Sequence, residues 1–162
     1  MHAIAFFAAL LANAAPVVAE RQSLGVFFQW GAFRDGAPAR CFAIAEPRRS
    51  MKAEGWRPFA SVAFWPGRGV KGQVHFRLSR TKRPGSAVLL RIDDRTFQLF
   101  AGGADAWAAD ARGDAEIVSA MRSGIDMTLE TRSDRGALVR DYYQLRGAAT
   151  AIDAAAIGCA RR

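Results

Sequence analysis

The stretch QVHFRLS, residues 73–79, decides the fold class. Its apolar residues Val74, Phe76 and Leu78 alternate with polar ones, which is the period of two that is typical of a half-buried β-strand. The stretch IDMTLE, residues 125–130, repeats the same alternation. The sequence therefore predicts a fold that is built mainly from β-strands.

Strand-like segments fill much of the remaining chain, and two helices interrupt them. The further predicted strands are 24–30, 40–45, 59–65, 87–92, 95–100 and 137–145. Asp93-Asp94 and the stretch SDRG, residues 133–136, each separate two of these strands and predict two hairpins. Helices are expected over Asp114–Ser123 and Ala148–Gly158, where apolar residues recur at helical spacing.

About eight strands and two short helices favour a mainly β, single β-sandwich domain of immunoglobulin-like type. The polar, strand-poor segment Glu46–Arg57 is expected to be an exposed loop. The chain has 162 residues, of which 51% are apolar and 23% are charged. This composition excludes an intrinsically disordered protein, because such chains have low hydrophobicity and a lopsided charge balance.

The first nineteen residues, MHAIAFFAALLANAAPVVA, predict a secretory signal peptide. An apolar run is followed by Pro16, and small or short side chains at Val17 and Ala19 occupy the −3 and −1 positions of a cleavage site before Glu20. The alternative is a buried N-terminal helix. The run is too short to span a bilayer, and no second apolar stretch of spanning length is present. We therefore expect one domain over residues 20–162, without a transmembrane segment and located in the periplasm or secreted.

Basic residues are concentrated in one third of the chain. The segment from Arg48 to Arg95 contains twelve Lys or Arg and three Asp or Glu, which gives it a formal charge of +9. The rest of the chain has a charge of −1, so the net charge is +8. Together with export, this excess predicts an anionic envelope or host-surface partner, such as an acidic polysaccharide, rather than nucleic acid. The predicted polyanion contacts are Arg68, Lys71, Arg77, Arg80, Lys82 and Arg83. The alternative is a solvated basic surface without a binding role.

The two cysteines, Cys41 and Cys159, predict a disulfide, because an even count in an oxidising compartment favours pairing. The alternative is two separate buried thiols. Neither cysteine lies in a C-x-x-C motif or near a histidine, so no metal ion is expected.

Motifs for catalysis or for a cofactor are weak. Residues 67–72, GRGVKG, have the spacing of a dinucleotide-binding loop, but a strand pattern follows where that loop needs a helix, so we interpret them as a hairpin loop. His75 is predicted to be an exposed strand histidine, and Ser61 and Ser86 lie in no G-x-S-x-G motif. No cofactor and no enzyme activity are expected. The alternative function is an exported hydrolase that uses two carboxylates, for instance Asp93 with Asp126.

Four segments together resemble the bacterial invasion-associated locus B family. They are WGAFRDGAPARCFAIAEP (30–47), VLLRID (88–93), AEIVSAMRSGIDMTLE (115–130) and YQLRGAATAID (143–153), and the resemblance covers about Leu24 to Ala160. It implies an exported, β-rich envelope protein of a Gram-negative bacterium with a sandwich-like fold, in a family of which some members are linked to host-cell entry. It implies no catalytic residues, and only Cys41 corresponds to a cysteine of the family. The predicted function is therefore a non-enzymatic envelope protein that binds or supports cell-envelope or host-surface components.

Overall fold

Ten antiparallel strands form one continuous sheet in the computed structural model, which describes residues 20–36 and 39–160. The strands are β1 (Arg21–Phe27), β2 (Trp30–Asp35), β3 (Arg40–Ala45), β4 (Phe59–Trp65), β5 (Val70–Arg77), β6 (Val88–Ile92), β7 (Arg95–Gly102), β8 (Asp105–Trp107), β9 (Asp126–Arg132) and β10 (Leu138–Gln144). The helices are α1 (Ala111–Ser123) and α2 (Ala148–Ala160). The order in the sheet is β1-β2-β3-β4-β5-β8-β7-β6-β9-β10. The predicted signal peptide, residues 1–19, lies outside the described residues.

The prediction of a mainly β fold with two helices is confirmed, as are both hairpins. Residues 67–72 do lie in a hairpin, between β4 and β5, but the loop is shorter than predicted, because β5 begins at Val70. The single strand predicted over 24–30 is wrong, because Phe28 takes a positive φ of 57° in a turn between β1 and β2. The three-residue strand β8 was not predicted. Helix α1 begins three residues before its predicted start because Asp110 caps it, accepting a hydrogen bond from the backbone N–H of Gly113.

Strand β7 joins the two halves of the sheet. Residues 95–99 pair with β6, and residues 100–102 pair with β8. One hydrophobic core contains side chains from both halves, such as Phe76 of β5 and Leu129 of β9. The buried Trp30 of β2 also donates a hydrogen bond of 3.0 Å to the backbone oxygen of Gln144 in β10. The two halves therefore share one interior, which is consistent with sandwich-like packing.

Both helices pack against the inner face of the sheet. Helix α2 lies against β1 to β4, and α1 lies against β5. The side chains that α2 buries are mostly alanines, which allow a close approach to the strands. The opposite face of β1 to β5 and β8, which we call the outer face, has no helix over it among the described residues. This face carries the candidate site.

The disulfide between Cys41 and Cys159 is present and joins β3 to the end of α2. The two Cα atoms are 5.7 Å apart, and the cysteines are 118 positions apart in the chain. The predicted pairing is confirmed, and no described cysteine is a free thiol.

Asp141 on β10 is a fully buried carboxylate with 0% exposure. Its oxygens accept hydrogen bonds from the backbone N–H of Ser79 at 2.8 Å and from the Ser79 hydroxyl at 2.5 Å. Removal from water raises the pKa of Asp141, and the two hydrogen bonds from Ser79 oppose this effect. The folded protein therefore favours the protonated carboxyl more than the unfolded chain does.

This raised pKa makes the contribution of Asp141 to stability dependent on pH. A pKa that is higher in the folded state gives a contribution that is complete below about pH 4 and is lost as the pH rises through the folded pKa. We expect the free energy of unfolding of the wild type, relative to Asp141→Asn, to fall between about pH 4 and 7. Urea unfolding at both pH values measures this difference. The exposed turn residue Asp94, changed to Asn, is the control, and an Asp141→Asn difference that is equal at the two pH values would contradict the prediction.

Candidate binding site on the outer sheet face

A row of directly opposite residues crosses all six strands of the outer face and continues onto β7. From β1 to β7 the row is Val26, Gly31, Ile44, Ser61, His75, Trp107 and Phe100. Neighbouring strands are 4.7–4.9 Å apart, so the row is about 28 Å long. Because side chains alternate between the two faces of a strand, Phe42, Ala63 and Gln73 form the next row on the same face.

A slot lies along β4 where these rows contain small side chains. Its floor is Ser61 and Ala63, and its two sides come from β3 and β5, with Phe42 on one side and His75 on the other. The cavity there has a volume of about 250 Å³, and Trp65 also lines it. A second groove of about 700 Å³ adjoins the slot, because the two share Ile44 and Phe59 as lining residues.

His75 is held in a fixed orientation at the side of the slot. Its Nε2 is 2.9 Å from Oδ1 of Asp105, and the other oxygen of Asp105 accepts a hydrogen bond of 2.7 Å from Arg77. The imidazole is stacked on Trp107 with ring centroids 5.2 Å apart and an interplanar angle of 4°. It also meets Phe59 edge to face at 5.1 Å. These contacts leave Nδ1 as the ring nitrogen that is available to a ligand.

The structure corrects the prediction for His75 in one respect. The side chain lies on the predicted face, opposite the core, but it is half-buried rather than exposed, with a side-chain exposure of 31%. Its neighbours Asp105 and Trp107 come from β8, which is too short for a recognisable alternation. The signal that could have located β8 is the dipeptide Gly102-Gly103, which is typical of a turn after a strand.

Ser61, His75 and Asp105 lie on adjacent strands, but they are not arranged as a nucleophile with its base. The Ser61 hydroxyl donates a hydrogen bond of 3.3 Å to the backbone carbonyl of His75. A histidine activates a serine through a hydrogen bond between the hydroxyl and the ring nitrogen. The hydroxyl of Ser61 is instead directed at the backbone.

Arginine side chains cover the aromatic rings at one end of the slot. The Arg40 guanidinium lies over Phe42 at 4.6 Å and over Trp65 at 5.1 Å. Arg68, in the β4–β5 hairpin, lies over the same Trp65 ring at 4.9 Å. Such cation–π contacts hold both guanidinium groups above the rings, where they face solvent. The sequence prediction had missed Arg40, because it lies outside the basic segment.

Asp35 partly compensates the charge at this end of the slot. It accepts hydrogen bonds from Arg21 at 2.8 Å and from Arg40 at 2.6 Å. The hydrogen bond from Arg21 has the largest effect and lowers the pKa of the Asp35 carboxyl; burial opposes it, and Arg40 lowers the pKa further. Arg68 makes no ion pair with an acidic side chain in the described part of the chain. It is therefore the least compensated cation beside Trp65.

The six predicted polyanion contacts are not brought together as one patch. Arg77 is paired with Asp105, and Arg80 donates to Glu54 at 2.8 Å. Lys71 lies on the helix side of the sheet, because a bulge at Gly72, with a φ of 93°, shifts the register so that Lys71 is opposite the inward-facing Phe64.

The last two predicted contacts, Lys82 and Arg83, follow β5 and lie beside the β9–β10 hairpin. Their backbone N–H groups donate to Gly103 and Arg132 respectively. Arg68 precedes β5, whereas Lys82 and Arg83 follow it. Because an extended strand rises about 3.3 Å per residue, the length of β5 separates Lys82 and Arg83 from Arg68 by about 20 Å or more. Of the six residues, Arg68 is the one whose guanidinium lies over an aromatic ring that lines the slot.

The carboxylates named for a hydrolase both take part in local hydrogen bonding. Asp93 accepts hydrogen bonds of 3.1 Å from the backbone N–H groups of Ile125 and Asp126. Asp126 accepts a hydrogen bond from the hydroxyl of Tyr142, which raises the pKa of Tyr142. These contacts connect the β6–β7 turn to β9 and β10.

Comparisons with known proteins do not identify a relative: no family model, curated protein or solved structure matches the chain. The resemblance to the invasion-associated locus B family stays a prediction from the sequence. Among the described residues, neither helix is long and apolar enough to cross a membrane. The same residues contain no group of three or more His, Cys, Asp or Glu side chains that could hold a metal ion.

Proposed function

We propose that this chain is an exported, non-enzymatic envelope protein that binds an anionic component of the cell envelope or of a host surface through its outer sheet face. The observation that carries the proposal is the placement of Arg40 and Arg68 over Trp65, on a face that neither described helix covers. Guanidinium groups bind carboxylate and phosphate oxygens through paired hydrogen bonds. Aromatic rings beside them exclude water and strengthen these contacts.

Export is supported by two features of different kinds. The disulfide Cys41–Cys159 favours an oxidising compartment such as the periplasm. The first nineteen residues have the pattern of a signal peptide. We extend the proposal to an immunoglobulin-like sandwich and to membership of the invasion-associated locus B family, which rest on the strand pattern and on the resembling segments. N-terminal sequencing of protein recovered from the periplasm tests export, and a mature chain that does not begin at Glu20 contradicts the predicted cleavage site.

Binding to heparin, a polyanion, tests the role of the outer face. We expect Arg40→Ala/Arg68→Ala to weaken binding to immobilised heparin about tenfold, because each guanidinium contributes a charge-assisted contact. The matched control is Lys71→Ala/Arg91→Ala, which removes the same charge away from the outer face. Equal weakening in the two double variants would show that only net charge matters, and a wild type that is not retained at about 0.15 M salt would overturn the proposed function.

A further inference from the structure

We propose that the slot on the outer face binds one acidic sugar residue of a glycan, such as a uronic acid. The inference rests on the proposed function and names the ligand class of the same face. The slot lies between aromatic side chains of neighbouring strands and has the small floor residues Ser61 and Ala63. Its volume of about 250 Å³ suits one compact ligand group. The adjoining groove of about 700 Å³ gives room for the next residues of a chain.

The walls of the slot suit a pyranose ring. The C–H groups of a sugar ring carry partial positive charge, and the faces of aromatic rings are negative, so the two pack well together. Phe59 and Trp107 line the slot beside His75, and Phe42 and Trp65 line it at the β3 side and at one end, where Arg40 lies over both rings. Because Asp105 holds the imidazole and Trp107 stacks on it, the β5 side of the slot is ordered before a ligand arrives.

Polar groups at the edges of the slot suit the hydroxyl and carboxylate groups of such a sugar. Nδ1 of His75 and the side-chain amide of Gln73 lie on the β5 side. Arg40 lines the same cavity on the β3 side, where its guanidinium could pair with a carboxylate. Arg21 also lines this side, and it shares the single carboxylate of Asp35 with Arg40, so the two arginines keep a net positive charge that favours an acidic sugar over a neutral one.

The charge on this face favours an acidic glycan over single-stranded nucleic acid. Nucleic acid needs a basic groove that follows a phosphate at every nucleotide. Here Asp35 compensates both Arg21 and Arg40, and Asp105 compensates Arg77, so few uncompensated cations remain. A glycan of acidic sugars carries one carboxylate per residue, which matches this moderate charge. The apolar faces of its rings match the aromatic walls.

The test is titration of the full protein with trigalacturonate, followed by intrinsic tryptophan fluorescence and by calorimetry. We expect Trp107→Ala, which removes a wall, and Ala63→Leu, which fills the floor, each to weaken trigalacturonate binding about tenfold. The matched control is Phe100→Ala. Phe100 is directly opposite Trp107, is 70% exposed and lies outside the slot, so we expect a change of less than about twofold. Near-ultraviolet circular dichroism checks that each variant is folded.

Three results would overturn the slot proposal, and none of them is the failure of the proposed function. The first is that the wild type does not bind trigalacturonate, and the second is that it binds neutral maltotriose equally well. The third is that it binds a thymidine octanucleotide more tightly than trigalacturonate and that Trp107→Ala abolishes this binding. If heparin binding still depends on Arg40 and Arg68, the face binds polyanions without an acidic-sugar slot. If heparin is not bound at all, the proposed function itself fails.

Discussion

The double variant Cys41→Ser/Cys159→Ser is expected to have a free energy of unfolding about 4–5 kcal/mol lower than that of the wild type. The disulfide closes a loop of 118 positions, which is most of the described chain. In the chain-entropy account, a cross-link lowers the entropy of the unfolded chain more as its loop grows, and a loop of about 100 residues corresponds to about 4.7 kcal/mol. Since small domains are marginally stable, this loss is a large part of the total.

Urea unfolding followed by circular dichroism measures the effect of the disulfide. Wild-type protein in reducing buffer is the control and should unfold at the same urea concentration as the double variant. Hydrogen exchange adds a local measurement, because the disulfide holds the end of α2 to β3. We expect exchange to accelerate first in α2. A loss of less than about 1 kcal/mol would contradict the entropic account, since it would mean that the reduced, unfolded chain is already restricted.

The strands could be predicted where the sequence contains at least two full periods of alternation. Val74, Phe76 and Leu78 are all fully buried, as their alternation predicted. The three residues of β8 contain too little alternation to be recognised, and the turn at Phe28 lies inside the mostly apolar run 24–30, which shows no clear break between strands. Pattern therefore located the long strands and the turns with typical turn residues, whereas the turn at Phe28, an aromatic residue with a positive φ, was not recognised.

The candidate site was harder to predict because it depends on strand pairing. His75 and Asp105 are thirty positions apart and meet only because β5 pairs with β8. The basic residues between Arg48 and Arg95 are close together in the sequence but do not form one patch on the surface. The bulge at Gly72 places Lys71 on the helix side, and Asp105 neutralises Arg77. Arg40, which lies over Trp65, belongs to a part of the sequence with no basic excess. No local pattern encodes these long-range neighbours.

Gly147→Ala is expected to destabilise the protein by about 3–5 kcal/mol, a large effect for a single methyl group. Gly147 connects β10 to α2 and has a φ of 92°, a conformation that L side chains rarely adopt. A Cβ atom there would overlap the carbonyl oxygen of Phe27 and would lie 2.8 Å from its carbonyl carbon. Phe27 ends β1, so the added methyl group would force apart the two ends of the sheet at their point of contact.

Two other glycines separate the backbone strain from the overlap. Gly85 has a φ of 78° but open space around its Cα, so Gly85→Ala should cost only the strain, about 1 kcal/mol or somewhat more. Gly67 has open space and no positive φ, so Gly67→Ala should be close to neutral. Urea unfolding should therefore show the largest loss of unfolding free energy for Gly147→Ala, a much smaller loss for Gly85→Ala and the smallest for Gly67→Ala. Equal losses of unfolding free energy in Gly147→Ala and Gly85→Ala would contradict this prediction. They would mean that the positive φ alone accounts for both losses and that the overlap with Phe27 adds nothing.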